Sequence, residues 1–193
     1  MTDLIAADVA GHRSQLEANR EHAAELCARL TAQQIGWRPG PDRWSVTECL
    51  QHLAVSAREY SANILAAARA GRERGLLAPT PPPYSWLMRR VIREMGPPVR
   101  SRQRSPRKFL PPGERLEPEA VRALVEERAR IWHRCLDESE GLDLGRVKVR
   151  SPAVPLLRFR LGALFAIITA HERRHLWQAE EVCGSPGFPG ERP

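Results

Sequence analysis

Lysine is nearly missing from this chain: it occurs only at Lys108 and Lys148, so almost all of the 30 basic residues are arginine. With abundant Ala, Pro and Gly, the formal charge of +7 reads as a GC-rich coding bias. No nucleic-acid recognition motif accompanies it, so no nucleic-acid partner is expected. Cysteine pairs are missing too. Cys27, Cys49, Cys135 and Cys183 are dispersed, without a CxxC, and read as small buried apolar residues of a reducing compartment. No run approaches the roughly 18 uninterrupted apolar residues of a membrane span. The opening "MTDLIAADVAGHRSQLEANR" carries acids where a secretory signal needs a basic start and an apolar block. A cytoplasmic protein with no membrane partner is the expectation. Strand-like Val/Ile/Thr alternation is nearly absent as well, which leaves helical periodicity and an all-α class.

The 193 residues fit one domain large enough to fold without disulfides or a structural metal, so residues 1–193 are read as a single domain. A first helix is expected over about 3–31, with Leu16, Ala23, Leu26, Cys27 and Leu30 inward. "LTAQQIGWRPGPDRW" then makes a loop through its Gly and Pro residues. A second helix opens at Ser45, where Glu48 three residues later completes a capping box. Val46, Leu50, Leu53, Ala57, Tyr60 and Ile64 repeat at helical spacing, and Gly71 and Gly75 close the helix. Residues 72–116 form a long Pro/Arg-rich connection, with a short helix over 84–95. From Arg89 to Lys108 that connection holds eight basic residues against one acid, which suits either a solvated crossover or a lid and anion-docking surface. The third helix spans about 117–140, a short extended piece fits between Gly141 and Gly162, and the fourth helix spans about 160–183. The sum is a four-helix bundle with a long crossover between helices 2 and 3.

The fourth helix holds the chemistry. Its inner stripe, Leu161, Leu164, Ile168, His171, His175, Gln178 and Val182, puts two histidines where core side chains belong. Stacked one turn apart in low dielectric, two imidazoles leave one charged or unsatisfied, and either state costs free energy. A shared metal ion removes the conflict. Among the other histidines, His12, His22 and His133 sit between charged neighbours and read as solvent-facing, whereas His52 flanks the apolar stripe of the second helix and can face the pair. "HERRH" spells a zinc-protease motif, but Gln178 occupies the Gly position of the metzincin extension, and Glu180 and Glu181 are too close to return as a third ligand. Proteolysis is therefore set aside.

"LTAQQIGWRPGPDRWSVTECLQHLA" together with "HERRHLWQ" resembles the DinB-like (DinB/YfiT) superfamily of metalloenzymes. The resemblance implies a four-helix bundle with a metal on three histidines, here His52, His171 and His175, the same set reached from spacing. It also implies thiol chemistry, since relatives include bacillithiol- or mycothiol-dependent transferases and a mycothiol-dependent maleylpyruvate isomerase. Three neutral imidazoles leave an ion with an open position, so a thiol or water is activated against a small molecule. Zinc or nickel is the expected ion, with manganese and iron also compatible with imidazole, and a low-molecular-weight thiol is the expected co-substrate. Gln178 and Glu59 are weaker candidates for orienting or catalytic roles, Arg100, Arg102 and Arg104 for receiving thiol carboxylates, and Glu172 is expected to be exposed. The alternative to an enzyme is a homodimeric metal-binding or stress-response module without catalysis.

Overall fold

A computed structural model describes the chain except for residues 1–4, 7, 78–83, 100–104, 155 and 191–193. Most of the rest is helical. α1 is Val9–Ala28, and it starts later than the periodicity suggests because the Asp8 carboxylate accepts the Gly11 N–H at 2.8 Å and caps the first turn. The loop expected after it contains a further short helix, α2 (Ala32–Ile35), closed by a capping box of Thr31 and Gln34.

α3 is Val46–Glu73. Its capping box forms as the sequence implies: Ser45 Oγ accepts the Glu48 N–H at 3.2 Å and Glu48 Oε2 accepts the Ser45 N–H at 3.0 Å. Arg38 Nε adds a bond to the same carboxylate at 2.7 Å, which allows Glu48 to be buried. Gly71 does not end the helix. It lies inside α3, where an added Cβ would stand 2.7 Å from Val147 Cγ2, so it serves close approach of the following segment. Gly75, with φ +62°, is the residue that turns the chain away.

α4 (Trp86–Met95) occupies the predicted short helix and packs on the last helix through Ile92. A 3-10 turn follows at Arg107–Phe109. α5 is Pro118–Asp137, with proline at the first helical position. The extended piece resolves into a small antiparallel pair, β1 (Lys148–Arg150) and β2 (Arg158–Arg160), and α6 runs over Leu161–Cys183. α5 and α6 each pack against both α1 and α3.

Most buried apolar residues of these four helices fall into two clusters, while Ala166 and Ala170 of α6 join Ile92 of α4 in a third. Leu16, Ile64, Trp132 and Phe165 belong to one, and Leu26, Leu50, Val125 and Leu176 to the other. Between them, along every helix, come buried polar side chains: Asn19 on α1, His52 on α3, Arg128 on α5, and Glu172 and His175 on α6. A polar layer thus crosses the middle of the helical core.

The expectation for His12 fails outright. His12 is not solvent-facing; it is fully buried against Phe165, their ring centroids 5.6 Å apart, and neither ring nitrogen has a hydrogen-bond partner among the described residues. Its charged neighbours in sequence point elsewhere, because a helix turns about 100° per residue. Of the other two, His22 is exposed and bonds Glu180, while His133 is half-buried between Arg13 and Glu17.

Burial pushes the His12 pKa down to about 4, with Asp8 offsetting part of the effect. Below about pH 6.5 the unfolded chain takes up a proton that the folded chain refuses until about pH 4. Stability therefore falls as pH drops through that window, by on the order of 3 kcal/mol from this residue. His12→Leu is expected to flatten the stability curve between these pH values in urea denaturation. An unchanged slope would show that His12 does not set it.

Candidate metal centre

α3 and α6 bring the three sequence-predicted histidines together. His171 Nε2 lies 3.2 Å from His52 Nε2 and 3.1 Å from His175 Nε2, and one ligand atom of each residue lies within 4.8 Å of the others. The backs of the rings fix their protonation. His52 Nδ1 faces the Phe109 carbonyl at 2.6 Å, and because a carbonyl only accepts, that nitrogen carries the proton. His175 Nδ1 likewise donates to Gln178 Oε1 at 3.1 Å. Both rings then turn unprotonated Nε2 atoms toward His171, which as a neutral imidazole has at most one proton to offer.

A second proton does not settle the matter, because burial disfavours it. The pKa of His171 is pushed down to about 3, first by desolvation and then by His52 and Arg174. His175 is lowered well below its ordinary value for the same first reason, with His171 and His52 adding to the effect. His52 is lowered by burial, partly offset by the Phe109 carbonyl. Three neutral imidazoles converging on one point are a donor set for a cation. The residues present therefore fit a divalent metal on the evidence of their own hydrogen bonds.

Aromatic packing completes the pocket for these rings. Trp44 lies 5.0 Å from His52 and 5.7 Å from His175 between centroids, stacked on the latter. Trp44 was part of the motif that suggested the family, but its contact with the imidazoles follows only from the chain path around Ser45.

The weaker candidates separate. Gln178 reaches the centre, as the acceptor that orients His175. Glu59 pairs with Lys108 at 2.6 Å and so ties the 3-10 turn to α3. With the His52 bond to Phe109 and the 5.8 Å contact of Tyr60 with the Phe109 ring, that pair lays part of the long connection over the site. Arg100, Arg102 and Arg104 lie outside the described residues.

Glu172 corrects a sequence expectation. Instead of being exposed it is 2 % exposed, accepting the Trp132 indole N–H at 2.8 Å and the Asn19 amide at 3.3 Å. Arg128, equally buried, approaches it at 3.3 Å. An outward angle from His171 does not mean solvent here, because α1 and α5 cover that side of α6. An arginine at a core-spaced position of the third helix, after Val121 and Val125, was the available signal for this pair.

A helical protein with a three-histidine centre able to hold a metal, His52 and His175 buried and His171 half-buried, is what the fold and site define. The DinB superfamily model matches residues 15–179, and the chain belongs to that family. No curated protein and no solved structure matches it.

Removing one partner of the buried pair strands a charge in the core. Glu172→Leu is expected to cost about 3–5 kcal/mol in urea denaturation, while Arg128→Met with Glu172→Leu recovers most of the loss. Additive losses in the double variant would mean that the two side chains do not stabilise one another.

Proposed function

We propose that this chain is a metal-dependent enzyme built on a single DinB-like four-helix-bundle domain. In it His52, His171 and His175 hold a divalent ion, zinc or nickel in preference to manganese or iron. The reaction is attack of a thiol or water on a small molecule, and thiol-dependent transfer is the preferred form. The observation behind this reading is the outward Nδ1–H bonding of His52 and His175, which leaves their Nε2 atoms free toward a common point.

A divalent ion on three neutral imidazoles supplies a Lewis acid that lowers the pKa of a thiol or water near neutral pH. The chain supplies the rest. Phe109 and Gln178 set the tautomers, and ligand imidazoles held this way are better donors. Trp44 packs on two of the rings and keeps bulk solvent from that side. In the transfer the thiol sulfur loses its proton to solvent and forms a bond to an electrophilic carbon, and the displaced group leaves with the bonding pair. In the hydrolytic form water oxygen takes the place of sulfur. We place the protein in the cytoplasm, as a homodimer, acting on small molecules without nucleic-acid or membrane partners.

Elemental analysis of protein purified without a His tag tests this directly. Close to one equivalent of divalent metal is expected in the wild type, with loss of most of it in His52→Ala and His175→Ala. The loaded protein is then expected to consume a low-molecular-weight thiol in a transfer screen. A wild type that stays metal-free after reconstitution with zinc and nickel would end the catalytic reading in favour of a non-catalytic interaction module.

A further inference from the structure

Next to the imidazoles lies a pocket of about 170 Å³. His52 and His171 form part of its wall, so the candidate metal centre opens into it. Most of the remaining wall is carbon: Leu53 from α3, Trp132 from α5, Leu164, Ile167 and Ile168 from α6, and Phe109 from the 3-10 turn. Two of these walls are pinned independently of any ligand. Phe109 is held through its carbonyl by His52 and through its ring by Tyr60, and Trp132 by its bond to Glu172. The walls at Phe109 and Trp132 thus stand in place without a ligand, and the half-buried Met95 side chain completes the lining.

We infer that this pocket is the subsite for the compact, apolar, single-ring body of the substrate, with the reacting group turned toward His52 and His171. The inference rests on the metal-enzyme reading above and supplies its substrate class. Size is the first argument. An apolar cavity of roughly 150 Å³ takes up benzene, whereas pockets for drug-sized ligands run from roughly 300 Å³ upward. Polarity is the second. No lysine or arginine is among the described lining residues, and the one charged group in the wall, Glu172, is already matched by Arg128. An ionised tail directed away from the histidines would lose its hydration there without gaining a counter-charge. Polar groups do occur at Ser56, Tyr60 and Ser105, but as scattered hydroxyls they suit a neutral substituent.

Two residues set the limits of the space. Ala153 lies in the half-buried turn between β1 and β2, and a larger side chain there would project into the pocket without disturbing a helix. Ile167 lines it from a half-buried position on α6, so truncation enlarges the pocket at small cost to the core.

The test is a methyl NMR titration of the zinc-loaded full chain with benzyl alcohol and with 2-naphthalenemethanol, with zinc content measured on the same samples. Benzyl alcohol is expected to shift the Leu53, Leu164, Ile167 and Ile168 methyls, and the two-ring alcohol to bind about tenfold more weakly. Ala153→Phe should abolish the benzyl alcohol shifts while zinc is retained, and Ile167→Ala should narrow the gap between the two alcohols. A zinc-loaded wild type that ignores benzyl alcohol, or shifts that survive Ala153→Phe, would overturn the subsite and leave the metal centre standing. Benzyl alcohol shifts in a wild type that holds no zinc would do the reverse, ending the metal reading while the ring pocket remains.

Discussion

Nε2 atoms of three neutral histidines meet in a space where none of them is readily protonated, and the surrounding structure is arranged around that fact. His171 stands 3.1 and 3.2 Å from its two neighbours, so any rotation of α6 would break the convergence. Two acceptors on the far sides of the rings, the Phe109 carbonyl and Gln178, hold the tautomers that make the arrangement a donor set for a cation. Trp44 fills the remaining flank.

The same polar layer continues away from the histidines. Glu172 follows His171 directly in sequence, and its carboxylate accepts hydrogen bonds from Asn19 of α1 and Trp132 of α5, with Arg128 of α5 at ion-pair distance, 3.3 Å. Where helices meet through apolar contacts they can slide or rotate by small amounts, and they acquire a fixed register where these buried polar groups must find one another. Fixing α6 through Glu172 also fixes the direction of His171 and His175. The Glu172–Arg128 pair therefore matters to the candidate centre without touching it.

The long connection contributes at one place. Outside the short helix over 84–95, its Pro/Arg-rich composition gave no secondary-structure period, so the choice between solvated crossover and lid could not be made from residues alone. In the structure its 3-10 turn is tied to α3 by Lys108 with Glu59 and by Phe109 with His52 and Tyr60, and Phe109 becomes a wall of the apolar pocket. A backbone carbonyl acts as a partner of the candidate ligand His52, and a backbone atom leaves no trace in side-chain patterns.

Local order along the chain was written in the sequence. The apolar stripes, the Ser45–Glu48 box and the i, i+4 spacing of His171 and His175 each depend on residues within a turn or two of one another, and the helical period converts them directly into geometry. His52 could be added because it flanks a stripe whose inner face was already legible. Whatever depended on the facing element could not be read that way. His12 and Glu172 sit beside charged residues in sequence and still lie in the core, because burial is decided by which helix covers a given side, and that is settled by the packing of α1, α5 and α6. Gly71 likewise needed Val147, which reaches it across the fold. The sequence by itself determined the long helices and the candidate three-histidine set; the tertiary structure decided the tautomers, the buried charge pair and the pocket, because each of those is an interaction between residues far apart along the chain.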